Sequence, residues 1–498
     1  MLLTIHTALS FSPSTAPLTS SASTPPRGWN SYDAFTMNVN ETQFLANCQA
    51  MADLLLPHGF DTCVVDYLWY QTSGGMWALD DYCRPIPDEE RWPSSAGGKG
   101  FRPIADKVHA MGLKFGIHIM RGTSSYAQEK DCVIKGTSDT HISSIVDPDG
   151  SCGWKPDSLG VDMGKPGAQA FYDSLYEQYA VDWQVDFIKN DCVFRSKRIA
   201  EIKAQARSIA KYASAPGGRP IVYSLSPGQS SNFDDEARTS DLIAANVNMY
   251  RITDDDWDHW AELAVHFDAA AAFASRIAKP GLLGAPSFPD LDMLPIGYVT
   301  SPGDSHARPD HWSDLTREEQ RTQMTLWAIA RSPLFFGGDV TRLRAATPAL
   351  AAADAAAAAD ADADADADAG GISNASFVLG LLTNEAVLGL NAASRDNREL
   401  TKSADGLRVW AATMAPEGRF AVAFFNTAAQ PVAHATVSVA AVLNASGTGP
   451  PAAFDSCKVS DMWSGVAMGS VGAKPGVVLV LPAKLPAHGS RLLQLVCA

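Results

Sequence analysis

The chain has 498 residues, 46% of them hydrophobic, which is long for one domain and ample for a large core. Its net charge of −16 argues against nucleic acid or an anionic membrane surface as the main partner. No run approaches the roughly 20 apolar residues of a membrane helix, so a soluble protein is expected.

In chain order, residues 1–26 are rich in Ser, Thr and Pro, with an apolar patch near Leu2–Leu9 and no basic n-region. They read as a disordered leader or a degenerate signal. From Gly28 to about Leu343, short apolar runs alternate with helical stretches. The runs are Gly28–Tyr32, Thr62–Trp69, Leu113–Met120, Val185–Cys192, Ile221–Leu225, Ala245–Ile252, Gly281–Ala285 and Leu334–Gly338. Eight such strands predict an α/β fold, a (β/α)8 TIM barrel over residues 27–344. Continuous runs such as Cys63–Val65 and Phe115–Ile117 suit parallel strands covered on both faces. Helices are predicted over Glu41–Leu55 and Arg317–Arg331, the second opened by Thr316 with Glu319 three residues on.

Residues 345–371 form an Ala/Asp low-complexity tract that repels itself and cannot bury a core, so a flexible linker is expected. It holds six of the acidic residues, from Asp354 to Asp368. The texture then changes over residues 372–498. Val409–Ala412, Phe420–Asn426, Ala435–Val439, Val477–Leu481 and Arg491–Val496 read as short strands of a C-terminal antiparallel β-sandwich domain. The eight cysteines include no C-x-x-C pair, which excludes a zinc ribbon or thioredoxin-like motif, and the even count permits disulfides. With sequons at Asn40, Asn374 and Asn444, a secretory route is expected, extracellular or vacuolar/lysosomal.

Catalytic side chains of a barrel sit where strands end and loops begin. Three strand ends carry carboxylates: Asp66, Asp191, and the run Asp254–Asp256. Glycoside hydrolysis needs two carboxyl groups across the scissile bond. Lys189 and Asp191 are two residues apart and so project to one side of an extended strand, where the ammonium favours an ionised nucleophile. Arg251 stands similarly beside the later acidic run. Read alone, a strand-end Asp is more often a helix N-cap, Asp254–Asp256 a solvated turn, and Lys189 a plain surface residue. The cluster Trp29, Tyr32, Tyr67, Trp69 and Tyr70 reads as core or, next to Asp66, as a sugar platform.

The ordered motifs Pro25-Pro-Arg-Gly-Trp-Asn-Ser-Tyr, Val65-Asp-Tyr-Leu-Trp-Tyr, Lys114-Phe-Gly-Ile-His, Asp186-Phe-Ile-Lys-Asn-Asp-Cys, Tyr250-Arg-Ile-Thr-Asp-Asp-Asp-Trp, Asp290-Leu-Asp-Met-Leu and Gln323-Met-Thr-Leu-Trp-Ala-Ile-Ala resemble glycoside hydrolase family 27, the α-galactosidases and their relatives. The resemblance implies Asp191 as nucleophile and Asp255 as acid/base. It implies Trp29, Asp66, Lys189 and Arg251 as sugar contacts, and a bridge between Cys152 and Cys192. Cys192 directly follows Asp191, where many members have an intervening Asn. Two departures bear on the substrate: Tyr67 stands where many α-galactosidases carry a second Asp, and Ser226 lies where they often have Glu followed by Trp. Both look like the plant-type branch that also accepts β-L-arabinopyranosides. The implied activity is retaining hydrolysis of terminal α-D-galactopyranosyl or β-L-arabinopyranosyl residues. Alternatives are an α-N-acetylgalactosaminidase, with room left at C2 by Ser226, and a non-catalytic carbohydrate-binding protein. No metal or organic cofactor is implied. Partners would be galactosides, arabinopyranosides or cell-wall and glycoconjugate glycans.

Overall fold

The computed structural model describes residues 22–193, 198–227, 243–277, 279–280, 286–301, 309–347, 369–444 and 454–498. The expected leader up to residue 21 and the tract over 348–368 lie outside them. Eight parallel strands form one curled sheet: β1 (Arg27–Asn30), β2 (Thr62–Val65), β3 (Lys114–Met120), β4 (Phe187–Asp191), β5 (Val222–Ser226), β6 (Met249–Arg251), β7 (Pro286–Asp290) and β8 (Leu334–Phe336). The order of the parallel strands is β7-β6-β5-β4-β3-β2-β1-β8, and the short segment Lys279–Pro280 pairs antiparallel with β7 as a ninth member of the sheet. Leu294 N donates to Phe335 O (2.8 Å) and Gly337 N to Leu294 O (3.0 Å), which joins the segment after β7 to β8.

Period-two geometry sorts the side chains. Val64, Phe187, Val222, Met249, Phe288 and Phe335, one from each of six strands, form an apolar cluster separate from the main core. This plug fills the middle of the barrel. Gly28 and Gly116 stand where it leaves no room. A Cβ on Gly116 would lie 2.9 Å from Val64 Cγ2 and 3.1 Å from Phe187 Cβ, and one on Gly28 would lie 2.9 Å from Phe335 Cε1 as well as 2.1 Å from the backbone Thr62 O. Residues of opposite parity, such as Cys63, Phe115, Ile117 and Ile188, face the surrounding helices in the main core.

The two expected helices occur as Glu41–Leu54 and Arg317–Ile329, each opened by a capping box, Asn40 with Gln43 and Thr316 with Glu319. The seventh strand differs from expectation. Residues 281–285 lie outside the described residues, and the strand that pairs with β6 is the proline-containing Pro286–Asp290. The expectation of no long apolar run is also corrected, because Ile372–Ala393 has the length and hydropathy of a membrane span. The structure breaks it into helices Ala369–Leu382 and Glu385–Ala393, the second capped by Asn384. Ala375, Val378, Leu381, Val387, Leu388 and Leu390 are buried in the main core.

Eight more strands follow: β9 (Arg395–Lys402), β10 (Leu407–Met414), β11 (Arg419–Asn426), β12 (Thr436–Ser438), β13 (Ser456–Asp461), β14 (Ala467–Gly472), β15 (Val478–Val480) and β16 (Ser490–Cys497). They make an antiparallel six-stranded sheet, β9-β10-β11-β16-β13-β14, and the pair β12-β15. Alternation again decides what packs where. Val409, Val422, Phe424 and Leu493 face the small sheet, whereas Trp410, Ala423, Phe425 and Leu492 face the barrel's core. His488 stacks on Trp260 at 4.0 Å and pairs with Glu319 (2.6 Å), which fixes this unit to helix Arg317–Ile329. All eight cysteines are paired: Cys48–Cys63, Cys83–Cys132, Cys152–Cys192 and Cys457–Cys497. This pairing fits an oxidising, secretory-type environment.

Candidate active site

One inward step beyond the apolar plug the same parity turns polar. Val64 is followed by Asp66, Gly116 by His118, Phe187 by Lys189 and then Asp191, Met249 by Arg251, and Phe288 by Asp290. The strand registers place His118 beside Lys189, Asp191 beside Ser226, and Arg251 beside Asp290. A cavity of about 500 Å³ opens here, lined among others by Asp66, Tyr67, His118, Lys189, Asp191, Ser226 and Asp255. Plug and cavity are thus two levels of one alternating pattern.

Asp66 and Lys189 form its deep ion pair, 2.9 Å apart. Asn30 Nδ2 donates to the same carboxylate oxygen (2.6 Å), and Tyr67 N to the other (2.8 Å). Burial disfavours ionised Asp66, but the Lys189 ammonium, His118 and the Asn30 amide outweigh it and hold the carboxyl well below the usual range. Burial likewise works against the Lys189 charge, yet Asp66 and Asp292 raise it above an ordinary lysine. Both groups are therefore fixed charges.

Asp191 ends β4. Its Oδ1 accepts from Cys192 N (2.5 Å) and its Oδ2 lies 3.2 Å from His118 Nε2. Cys192 adopts a left-handed φ of 56°, and the Cys152 bridge anchors it there. Behind it, buried Arg121 donates from Nε to Cys192 O (2.8 Å), from Nη1 to Glu201 Oε1 (2.7 Å) and from Nη2 to Gly150 O (2.6 Å). Glu201 also accepts from Tyr172 OH (2.6 Å) and Val161 N (3.1 Å).

Across the cavity, Arg251 ends β6 and holds Asp292 through Nη1 (2.7 Å) and Asp255 through Nη2 (3.3 Å). Burial opposes the Arg251 charge, but Asp292 and Asp255 hold it above the usual range. Of the three consecutive aspartates, Asp256 is buried, takes a hydrogen bond from Gln323 Nε2 (2.7 Å) and gives its own N–H to Asp292 Oδ2 (2.8 Å). The Asp255 side chain is 80% exposed on the cavity wall. Burial, Asp292 and Glu262 push the Asp256 carboxyl well up.

The structure gathers Asp66, Tyr67, Lys189, Asp191, Ser226 and Asp255 on one cavity. It does not bring Trp29 there. Trp29 has the outward parity on β1, is fully buried against Phe35 and Phe44, and spends its indole N–H on Gly338 O (2.9 Å). Trp69 and Tyr70 are core as well, while Tyr32 and Tyr67 line the cavity. Arg251 is not itself on the cavity lining but holds Asp255 and Asp292, which are. The loop beyond Pro227 lies outside the described residues up to residue 242. His118, Trp154, Trp257 and Asp292 also line the cavity; none was given a role from the sequence, although His118, Trp257 and Asp292 fall within the quoted motifs. Parity with Gly116 marks His118, and the left-handed φ of 89° at Asp292 has no sequence signal.

The family model described as Alpha galactosidase A matches residues 157–362, and that described as Alpha galactosidase C-terminal beta sandwich domain matches residues 404–495. The solved structure of a GH27 β-L-arabinopyranosidase from Geobacillus stearothermophilus is 35% identical, with a TM-score of 0.77 over 95% of this chain and 97% of that one. The chain belongs to glycoside hydrolase family 27. It is accordingly a glycoside hydrolase with the barrel and β-sandwich of that family. Other family 27 relatives are an α-N-acetylgalactosaminidase from Gallus gallus, 27% identical over 66% of this chain and 67% of that protein, and α-galactosidase 2 of Arabidopsis thaliana, 25% identical over 66% and 64%. The chain spans about two thirds of the length of these curated relatives.

Proposed function

We propose that the protein is a retaining exo-glycosidase that releases terminal β-L-arabinopyranosyl and α-D-galactopyranosyl residues. Asp191 attacks the anomeric carbon while Asp255 gives a proton to the leaving oxygen. Asp255 then takes a proton from water, and the hydroxide displaces Asp191 to free the sugar with its configuration retained. Asp66 and Lys189 bind hydroxyls as a fixed ion pair, and Arg251 steadies Asp255. The observation that carries the reading is the division of labour among the cavity's carboxyls. Asp66 is buried on Lys189 and Asn30, and Asp256 on Gln323, whereas Asp191, held by the Cys192 amide and His118, and Asp255, held by Arg251, keep solvent-accessible side chains on the cavity wall.

Tyr67 supports the sugar preference. A carboxylate there would accept a hydrogen bond from O6, and leaving it unpaired over an arabinopyranose would cost about 1–3 kcal/mol. The Tyr67 ring, edge-on to His118 at 5.5 Å, supplies apolar surface instead. The small Ser226 keeps an α-N-acetylgalactosaminidase as the second reading. Turnover of the nitrophenyl β-L-arabinopyranoside, α-D-galactopyranoside and α-N-acetylgalactosaminide separates them. Appreciable rates are expected on the first two, and Tyr67→Asp shifts the ratio toward galactose. A galactose preference above roughly a hundredfold, or ~2.7 kcal/mol, would end the arabinopyranoside reading. No turnover with retained sugar binding would leave a binding protein. The paired cysteines and the relatives are consistent with a secretory location.

A further inference from the structure

The loop between Gly150 and Ser158 carries an indole that the fold leaves partly uncovered. Trp154 is 48% exposed, one of the few large apolar side chains at the surface among the described residues. It stands on the wall of the cavity that holds Asp191 and Asp255. Its ring centroid lies 5.6 Å from that of Tyr67, so the two rings make an aromatic step from the cavity toward solvent. The loop beneath is braced. The Cys152 bridge ties it to the residue after Asp191. Cys152 N donates to Ser158 O (2.9 Å) and Ser158 N to Lys155 O (2.9 Å). The Asp157 carboxylate takes a hydrogen bond from Trp77 Nε1 (3.1 Å) and pairs with Lys155 (3.0 Å). Apolar surface held rigidly in water at the rim of a cavity is what a ligand covers.

We propose that Trp154 is the platform of an aglycone subsite and stacks the sugar ring to which the terminal residue is linked. The proposal rests on the glycosidase reading above. With the terminal ring's anomeric carbon between Asp191 and Asp255, the leaving group projects out of the cavity on the side where Asp255 is exposed. Trp154 lines the same cavity and is half exposed to solvent. Its loop is covalently joined to the neighbour of Asp191, so the spacing between platform and reacting carbon is built in rather than acquired on binding. That pre-organisation lowers the ordering cost of binding the second ring. The occupant is a pyranose rather than a flat aryl group. Lys155 and Asp157 lie on the same loop as the indole, and Asp254 is on the cavity lining, so polar groups are available near the site for a sugar's hydroxyls. Binding energy from such a non-reacting ring is available to orient the bond that breaks.

The test uses two substrates that differ only in the aglycone, with the sugar that the wild-type enzyme turns over faster. One is the glycosyl fluoride, whose leaving group is too small to reach Trp154. The other is the corresponding disaccharide, melibiose for galactose. Trp154→Ala is expected to lower kcat/KM on the disaccharide about tenfold, mostly through KM, and to leave fluoride release within about twofold. Trp154→Phe restores most of the disaccharide activity. Equal loss on both substrates would put Trp154 in the terminal sugar's site or in the fold and overturn the proposal. So would an unchanged disaccharide rate, or a loss confined to nitrophenyl glycosides, which would make the occupant a flat ring. A wild-type enzyme that releases no fluoride from either glycosyl fluoride would fail the underlying activity reading instead, before any variant is compared.

Discussion

At the scale of single residues, the two proposed catalytic carboxyls make separable demands. Asp191→Asn keeps the shape of the group and its contact with Cys192 N, so folding and sugar binding should survive while turnover is abolished. A fluorinated glycosyl substrate should label a peptide containing Asp191, and labelling elsewhere would refute the assignment. Asp255→Ala removes the proton donor, so its loss should be greatest on substrates with poor leaving groups, with azide restoring part of the turnover. If Asp254→Ala shows that signature instead, the assignment is off by one residue. His118 carries a further expectation. Its Nδ1 is buried without a hydrogen-bond partner, and its Nε2 faces Asp191 Oδ2 at 3.2 Å; because a carboxylate only accepts, Nε2 carries a proton there. That N–H steadies one oxygen of the nucleophile while the Cys192 amide steadies the other. His118→Phe should lower kcat about tenfold, or ~1.4 kcal/mol, with KM changed less than about threefold. A change confined to KM in steady-state kinetics would place His118 on the sugar instead.

At the scale of elements, the nucleophile's position depends on a buried charge pair that joins four chain segments. Arg121 follows β3, Cys192 follows β4, Gly150 lies on the disulfide-tied loop, and Glu201 lies in helix Ile199–Ala213. Glu201→Ala would strand the Arg121 charge in the interior and should cost about 3–5 kcal/mol in urea unfolding. It should also cost kcat, because Asp191 and Cys192 are adjacent. A cost below about 1 kcal/mol would show that the pair is dispensable. Of this network only the Cys152–Cys192 bridge was legible in the sequence, through the resemblance; Arg121 and Glu201 lie far apart along the chain and each reads as an ordinary charged residue. What was legible follows strand chemistry. The apolar runs of β2 and β3 announce strands buried on both faces. Pro286 and Pro289 break that signal in β7, where two backbone N–H groups are missing. β9, with the sequence Arg-Asp-Asn-Arg-Glu-Leu-Thr-Lys, and the exposed β14 are the two outer strands of the six-stranded sheet. Edge strands escape the apolar pattern because they need charge and exposure. In the site, the spacing of Lys189 and Asp191 showed their shared face, whereas Trp29 was assigned to the sugar one residue out of phase with Gly28 and Asn30.

At the scale of the whole molecule, the density of carboxyls around the cavity sets how stability depends on pH. Burial first, and neighbouring Asp292 second, push the Asp33 and Asp256 carboxyls well above their ordinary value; each has an oxygen without a hydrogen-bond partner. Burial also raises Asp290 and carries Asp292 up to about 7 against the pull of Arg251. A carboxyl raised in the folded state adds stability that is complete below its unfolded value of 3.8 and is lost as pH climbs through the folded value. His266 has the opposite sign. Burial lowers it to about 4, so its contribution is present above its unfolded value of 6.5 and is lost as pH falls toward 4. Asp66, held low by Lys189, His118 and Asn30 despite burial, loses its contribution only as pH falls below 3.8 toward its folded value. Between about pH 4 and 7 these raised carboxyls outnumber the one imidazole lowered among the described residues. On the balance of these groups the folded state binds more protons than the unfolded chain, so stability is expected to fall as pH rises. We expect the melting temperature to peak near about pH 4–5 and to decline toward about pH 7.5. Asp256→Asn copies the neutral carboxyl and keeps an oxygen for Gln323, so it should make that decline shallower. Thermal unfolding of both proteins across this range is the measurement. A wild-type melting temperature that rises from about pH 5 to 7.5 would mean that these carboxyls stay ionised in the fold, and an unchanged slope in the variant would clear Asp256.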